Sequence, residues 1–126
     1  MSEQQHINIL LVEDHLLTRL GLRAIIERIA DFKVVGEAEN GEDAIQKVDE
    51  LKPDVVLMDV VMPGLNGFQA TRAISRDPAT RAIPIILCTS KSQETDKIWG
   101  MRQGARDYIV KPVNRDELLE KIAAIG

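Results

Sequence analysis

Three carboxylates of this sequence stand directly after apolar runs. Glu13 and Asp14 follow the run from Ile7 to Val12, and Asp59 follows the run from Val55 to Met58. An apolar run without polar alternation is typical of a β-strand covered on both faces, as in a parallel sheet. A whole buried strand would hold Asp59 in place, which makes this residue the best candidate for a nucleophile.

Two further apolar runs end in a hydroxyl and an ammonium group. Thr89 follows the run from Ile85 to Cys88, and Lys111 follows the run from Tyr108 to Val110. In an open parallel sheet, ligands bind outside the carboxyl ends of the strands. We therefore expect the carboxylates, the Thr89 hydroxyl and the Lys111 ammonium to meet at one edge of a sheet.

The charges at this edge predict a site for phosphoryl transfer. Two carboxylates about 4 Å apart repel each other by roughly 4 kcal/mol at an effective dielectric constant near 20, so a group of them needs counter-charges. Lys111 supplies one, and a divalent cation would supply more. Carboxylate and water oxygens suit Mg²⁺, and no cluster of Cys and His residues favours zinc. A cation, a lysine and a hydroxyl would bind phosphoryl oxygens while Asp59 attacks the phosphorus.

Strand-like runs alternate with helix-like segments along the whole chain. The predicted strands cover Ile7–Val12, Lys33–Ala38, Val55–Met58, Ile85–Cys88 and Tyr108–Val110. The predicted helices cover about His15–Ala30, Glu42–Leu51, Gly67–Arg76, Gln93–Gln103 and Arg115–Ala124. Strict alternation predicts an α/β fold in which one doubly wound parallel sheet carries helices on both faces. No repeat or linker is apparent, so a single domain is expected over residues 1–126.

The first predicted helix carries more apolar residues than one face requires. Leu17, Leu20 and Ala24 recur at helical spacing and are predicted to form its buried stripe. The apolar residues beyond that stripe are Leu22, Ile26 and Ile29. We interpret them either as a patch for docking or dimerisation or as part of a well-covered helix.

Composition excludes several classes of protein. Apolar residues make up 44% and charged residues 29% of the sequence, as in ordinary globular proteins. The formal net charge of −4 argues against a protein that binds nucleic acid or a membrane surface. No apolar stretch reaches the roughly 20 residues that span a bilayer, and MSEQQH lacks the apolar region of a signal peptide. The protein is therefore predicted to be cytoplasmic, with Cys88 as a small buried hydrophobic residue.

Four segments match one family in their order and spacing. They are LLVEDH with Glu13 and Asp14, VVLMDVVMPGLNG with Asp59, IILCTS with Thr89, and ARDYIVKP with Tyr108 and Lys111. Together they are specific to the receiver domain of two-component response regulators, the superfamily of the chemotaxis regulator, which the chain resembles over essentially its full length. The resemblance implies a flavodoxin-like fold with strand order 2-1-3-4-5.

The resemblance implies a phospho-acceptor signalling switch. Asp59 would accept a phosphoryl group from the phosphohistidine of a sensor histidine kinase or phosphotransfer protein. Mg²⁺ would be bound by Asp14, by Asp59 and by the backbone carbonyl of Val61, with Glu13 acting through water. The only catalysis would be self-phosphorylation and autodephosphorylation, so the protein is not expected to be an enzyme.

The resemblance also implies how the phosphoryl group is detected. Thr89 and Lys111 would bind phosphoryl oxygens, and Tyr108 would change rotamer as Thr89 moves. The peptide bond from Lys111 to Pro112 would be cis, which the sequence permits. A downstream effector protein would bind the face built by the fourth helix, the fifth strand and the fifth helix, while this domain itself contacts neither nucleic acid nor membrane.

The two halves of the chain resemble different subfamilies. ILLVEDHLLTRLGLRAIIE and FKVVGEAENG are similar to receivers fused to helix-turn-helix DNA-binding domains. PGLNGFQATR and QETDKIWGMRQGARDYIVKPV are similar to stand-alone receivers of pilus-motility and phototaxis systems. A natural mosaic or an engineered chimera would explain this mixture.

Three alternatives to a phosphorylation switch remain at this point. One is a Mg²⁺-dependent phosphatase with an aspartate nucleophile, but such enzymes commonly carry a second Asp two residues after the nucleophile, where this chain has Val61. Another is a receiver-like interaction module that never takes phosphate, against which the intact acidic site argues. The last is the receiver fragment of a DNA-binding response regulator.

Overall fold

The computed structural model describes residues 6–62, 64–89 and 94–125, and for residues 94–97 it describes the backbone alone. The strands are β1 (Ile7–Val12), β2 (Phe32–Ala38), β3 (Val55–Asp59), β4 (Ile85–Thr89) and β5 (Asp107–Val110). The helices are α1 (Leu16–Glu27), α2 (Gly41–Leu51), α3 (Gly67–Arg76), α4 (Glu94–Gln103) and α5 (Arg115–Ile125). In the described part of the chain, no helix combines the length and the apolar character needed to cross a bilayer.

The strands form one parallel sheet in the order β2-β1-β3-β4-β5. The fold class and strand order expected from the sequence are therefore confirmed. In this order, β1 and β3 lie side by side at the centre of the sheet, with Val12 opposite Met58. The residues that follow these two strands must consequently emerge next to each other.

Alternate residues of the central strands supply two separate cores. Ile9 and Leu11 of β1 join a cluster with residues of α1 and α5. Leu10 and Val12 join a second cluster with residues of α2 and α3. Since successive side chains of a strand point to opposite faces, a sheet with helices on both faces needs apolar residues at every position. This requirement explains the unbroken apolar runs of the sequence.

The buried face of α1 differs from the predicted one. The exposed fractions of Leu17 and Leu20 are 82% and 51%, and Ala24 is exposed as well. The residues that α1 buries are instead Arg19, Leu22 and Ile26. Both sets recur at helical spacing, so the local pattern of this helix could not decide between them.

The alternative interpretation of a docking patch is also wrong. Leu22, Ile26 and Ile29 are at most 7% exposed and belong to the core cluster beneath α1 and α5. They pack against the sheet because the stripe that contains Leu22 and Ile26 is the one that faces it.

The first helix ends at Glu27, three residues before the predicted end at Ala30. The amide of Ile29 donates to the carbonyl of Ile26 at 3.0 Å, and the amide of Phe32 donates to the carbonyl of Ile29 at 3.0 Å. These tighter turns bring Phe32 into the core, where it starts β2 one residue before the predicted strand.

Other element bounds shift by one residue each. β3 and β4 extend to Asp59 and Thr89, because Asp59 pairs with Cys88 and Thr89 pairs with Val110. For the same reason β5 begins at Asp107, opposite Ile86. The further shifted bounds are Leu16 for the start of α1, Gly41 for the start of α2 and Ile125 for the end of α5. The start predicted for α4, at Gln93, lies outside the described residues.

Helix caps follow local sequence signals. The side chain of Asn114 accepts hydrogen bonds from the amides of Asp116 and Glu117 at the start of α5, at 2.8 and 3.1 Å. Gly104 follows α4 with a φ of +112°, a backbone conformation in which glycine avoids the steric penalty of a Cβ atom. Asn114 thus caps the start of α5, and Gly104 ends α4.

Candidate functional site

The carboxylates of Glu13, Asp14 and Asp59 meet beyond the carboxyl ends of β1 and β3. Each offers an oxygen within 4.8 Å of an oxygen of the others. Glu13 and Asp59 are buried, with 1% and 6% of their surfaces exposed. This clustering follows directly from the adjacency of the two strands, and it agrees with the expectation from the sequence.

Lys111 joins this acidic cluster from the end of β5. Its Nζ lies 2.6 Å from Oε1 of Glu13 and 3.1 Å from Oδ1 of Asp59. The Lys111 amide donates to the backbone oxygen of Thr89 at 2.7 Å, and the peptide bond from Lys111 to Pro112 is cis. One ammonium thus bridges two buried carboxylates.

Burial and charge act in opposite directions on the ionisation of the site. Burial raises the pKa of Asp59 to about 6, although the hydrogen bond from Lys111 lowers it. Burial also favours the neutral form of Glu13, but hydrogen bonds from Lys111 and from the His15 amide outweigh it and keep the pKa of Glu13 below its ordinary value. The pKa of Lys111 is raised, because its bonds to both carboxylates outweigh its burial.

Asp14 gives the clearest indication that this cluster could hold a cation. Its Oδ1 atom is buried and has no hydrogen-bond partner among the described residues. A buried carboxylate oxygen without a partner is unfavourable. The side chains grouped with it, Glu13 and Asp59, offer carboxylate oxygens, which are ligands of Mg²⁺ rather than of a soft metal. The residues present therefore fit a magnesium ion.

Thr89 is the last residue of β4, and Tyr108 lies opposite Leu87 in the neighbouring strand β5. Thr89 is buried, with 7% of its surface exposed, and Tyr108 is partly buried. Both residues line one small cavity, whose other lining residues are Val60, Phe68, Leu87, Met101 and Asp107. Lys121 of α5 donates to the backbone oxygen of Tyr108 at 2.8 Å and lies 4.6 Å from the centre of its ring. Tyr108 is thus held between the site and α5.

The segment after Asp59 turns sharply into α3. The Gly67 amide donates to the carbonyl of Val60 at 3.0 Å. A Cβ atom at Gly67 would lie 2.1 Å from the backbone oxygen of Asp59, so no other residue fits there without displacing β3. Val61, whose carbonyl was expected to bind the metal, has a side chain that is 73% exposed. It offers no side-chain ligand or acid, so only its backbone could serve the site.

One residue of the site's surroundings was missed by the sequence interpretation. Arg19 is 8% exposed, and its Nη1 donates to the backbone oxygen of Glu13 at 2.8 Å. Its spacing of three from Leu22 and seven from Ile26 places it on their stripe, but the sequence does not show that this stripe of α1 is the buried one.

Comparison with protein families gives one match over most of the chain. The model of the response regulator receiver domain matches residues 9–123. This range includes all the residues of the acidic cluster as well as Thr89, Tyr108 and Lys111.

Individual relatives and solved structures agree with this match. The chain is 53% identical to the protein PilH of Pseudomonas aeruginosa over 117 residues, which cover 93% of this chain and 95% of PilH. It superposes on the response regulator domain of Thermotoga maritima CheB with a TM-score of 0.87 and 38% identity, over 96% of both chains. A third neighbour is the receiver domain of the sensor histidine kinase PA1611 from Pseudomonas aeruginosa, with a TM-score of 0.85, 29% identity and coverage of 94% and 96%. That structure has a magnesium ion coordinated in its active-site cleft.

Proposed function

Because the chain belongs to the response regulator receiver domain family, we propose that its signalling chemistry takes place at Asp59. Receiver domains of this family are phospho-accepting signalling switches. In this chain, Asp59 accepts the phosphoryl group from the phosphohistidine of a sensor histidine kinase or a phosphotransfer protein. The observation that carries the proposal is the Lys111 ammonium that bridges Asp59 and Glu13, beside the unpartnered Oδ1 of Asp14.

Asp59, Lys111 and Thr89 have separate roles in the proposed phosphoryl transfer. A carboxylate oxygen of Asp59 attacks the phosphorus, and the bond from phosphorus to the donor nitrogen breaks, so that an acyl phosphate forms. Lys111 binds one phosphoryl oxygen, and the Thr89 hydroxyl donates to another. Both groups act in a largely buried site, where fixed charges and dipoles stabilise developing charge more strongly than in water.

Magnesium is the cofactor that we assign to the acidic cluster. Asp14, Asp59 and the backbone carbonyl of Val61 would hold it, with Glu13 bound through water. A divalent cation supplies positive charge that neutralises the phosphoryl oxygens during transfer. The unpartnered oxygen of Asp14 and the magnesium ion in the PA1611 receiver support this assignment.

A switch function is favoured over enzymatic turnover of a small substrate. Val61 stands two residues after Asp59, where a phosphatase with an aspartate nucleophile would carry its general acid. The phosphate-independent module is not favoured, because the acidic cluster and Lys111 are intact. The remaining alternative is that the chain is the receiver fragment of a DNA-binding response regulator. The chemistry proposed at Asp59 would be the same in that case.

The output of the switch is assigned to a downstream effector protein. Thr89 and Tyr108 would transmit phosphorylation to the face built by α4, β5 and α5. Their shared cavity, which Met101 of α4 also lines, supports this route. The single domain over residues 1–126, the cytoplasmic location and the absence of nucleic-acid binding stay predictions.

The test is the intact mass of the protein after incubation with acetyl phosphate, with and without Mg²⁺. We expect a Mg²⁺-dependent gain of one phosphoryl group in the natural sequence and none in Asp59→Asn. Asp54→Asn is the matched control. Asp54 precedes the same strand at its opposite end, where its carboxylate accepts from the Asn8 amide at 2.7 Å, so this variant should gain the group normally.

A failure of the natural sequence to gain mass would contradict the proposal and favour the phosphate-independent module. If Asp59→Asn also gains the mass of a phosphoryl group, another residue is the acceptor.

A further inference from the structure

Arg19 is a charged side chain in the buried face of α1. It lies on the same stripe as Leu22 and Ile26, and only 8% of its surface is exposed. A buried guanidinium is tolerated where counter-charges and hydrogen bonds replace its lost hydration. Its partners should therefore reveal what it does.

The guanidinium of Arg19 donates to three acceptors in two neighbouring segments. Nε donates to Oε1 of Glu37 in β2 at 2.9 Å, and Nη2 to Oε1 of Glu39 at 3.4 Å. These two carboxylates compensate the positive charge of the guanidinium. The third, from Nη1 to the backbone oxygen of Glu13 at 2.8 Å, is buried and joins Arg19 to a residue of the acidic cluster.

This third bond fixes the peptide between two acidic residues. The carbonyl of Glu13 and the amide of Asp14 share one planar group. The amide of Glu13 is itself bound to the carbonyl of Ala38 at 3.0 Å, so the backbone of Glu13 is held on both sides. Because the side chains of Glu13 and Asp14 project from the two ends of this peptide, its orientation determines where both carboxylates point.

We propose that Arg19 is a positioning residue of the phosphorylation site, which sets the affinity of the acidic cluster for Mg²⁺ by fixing the peptide between Glu13 and Asp14. The inference rests on the proposed function, since that function makes the cluster a magnesium site. Among the described residues, Arg19 bonds to no carboxylate of the acidic cluster, so its effect is on geometry. Groups that orient metal ligands commonly change metal affinity by about 10- to 100-fold when they are replaced.

Arg23 provides a matched control within the same helix. It lies one turn after Arg19, with its Nη1 bound to the same Glu37 and its Nε 3.3 Å from Glu27. Its side chain is 40% exposed, and none of these bonds reaches Glu13. Replacing Arg23 therefore weakens the link between α1 and β2 without releasing the peptide after Glu13.

The experiment is a calorimetric titration of the full chain with Mg²⁺, without a phosphoryl donor, in Arg19→Gln, Arg19→Lys and Arg23→Gln. We expect the dissociation constant to rise about tenfold or more in Arg19→Gln and to change less than about twofold in Arg23→Gln. Arg19→Lys should be intermediate, because one ammonium cannot reproduce the fork that reaches both Glu37 and the Glu13 carbonyl.

Phosphorylation by acetyl phosphate provides a second readout. If Arg19 positions the metal ligands, the phosphorylation rate of Arg19→Gln should approach that of the natural sequence at saturating Mg²⁺. Only the Mg²⁺ concentration that gives half of this maximal rate should increase. A general loosening of the fold would lower the maximal rate and would affect Arg23→Gln as well.

The proposal is overturned if Arg19→Gln binds Mg²⁺ as tightly as the natural sequence, or if Arg23→Gln loses as much affinity. If circular dichroism shows that Arg19→Gln does not fold, Arg19→Lys decides by the same comparison. A natural sequence that binds Mg²⁺ but takes no phosphoryl group refutes the proposed function alone, since the titration still decides the role of Arg19. A natural sequence that binds no Mg²⁺ refutes both.

Discussion

At the scale of single residues, the burial of Asp59 costs stability and also favours the chemical role proposed for it. Burial raises its pKa from 3.8 to about 6, and Lys111 only partly opposes this shift. Near neutral pH the Asp59 carboxylate is therefore ionised in a buried position, and this ionised form is less favourable in the folded protein than in the unfolded chain. A nearby cation would stabilise this poorly solvated carboxylate, and its oxygens can also attack an electrophilic phosphorus.

A pH-dependent stability follows for the protein without Mg²⁺. Between about pH 4 and pH 6 the folded state holds the Asp59 proton more tightly than the unfolded chain, so the contribution of Asp59 to the free energy of unfolding falls as the pH rises through this window. The loss amounts to roughly 3 kcal/mol by neutral pH. We expect Asp59→Asn to be more stable than the natural sequence at neutral pH, with the difference shrinking at about pH 4.

Urea unfolding at both pH values, followed by circular dichroism, measures this difference. Added Mg²⁺ provides the control, because it should stabilise the natural sequence at neutral pH and leave Asp59→Asn nearly unchanged. A variant that is less stable than the natural sequence at neutral pH would contradict the expectation.

At the scale of elements, α1 shows how tertiary contacts choose between two helical stripes. The stripe of Leu17 and Leu20 faces solvent, whereas the stripe of Arg19, Leu22 and Ile26 faces the sheet. Burying the second stripe brings a guanidinium to the carbonyl of Glu13. The element that closes one core therefore also supports the acidic cluster.

Two leucines of α1 provide a matched pair for this assignment. Leu22→Ala removes a side chain that is 5% exposed and should lower the free energy of unfolding by about 2–5 kcal/mol, through lost burial and a cavity. Leu17→Ala removes one that is 82% exposed and should change stability by less than about 0.5 kcal/mol. Denaturant unfolding of both variants at one pH makes the comparison, and the reverse order would mean that α1 buries the other face.

At the scale of the whole molecule, chemistry at one edge of the sheet must change a distant surface. Thr89, Tyr108 and Met101 line one cavity, and Met101 belongs to the same helix as Trp99, which is 51% exposed. Movement of Thr89 towards a phosphoryl group would thus alter the packing under α4. Trp99 is the single tryptophan of the sequence, so its fluorescence reports on this helix.

We expect phosphorylation by acetyl phosphate to change the emission of Trp99. Thr89→Ala should still gain a phosphoryl group, more slowly, but should lose most of the fluorescence change per phosphorylated molecule, because the hydroxyl that follows the phosphoryl group is missing. Mass spectrometry and fluorescence on the same samples separate the two effects. Asp59→Asn controls for effects of acetyl phosphate alone, and an undiminished change in Thr89→Ala would rule out Thr89 as the link.

The sequence by itself determined the types and order of the elements and the members of the acidic cluster. Apolar runs such as Val55–Met58 are readable because a strand covered on both faces needs apolar residues at every position. Asp59 and Lys111 were recognisable because parallel strands deliver their carboxyl-terminal residues to one edge.

Only the tertiary structure decided which face of α1 is buried and what Arg19 binds. Both stripes of α1 have helical spacing, so the local pattern is the same for either choice. The decision lies in contacts with residues distant in sequence, such as Glu37 of β2, and these exist only once the sheet has assembled. The bond from Arg19 to Glu13 depends on that choice, because a guanidinium can reach the buried carbonyl only from the face of the helix that packs against the sheet.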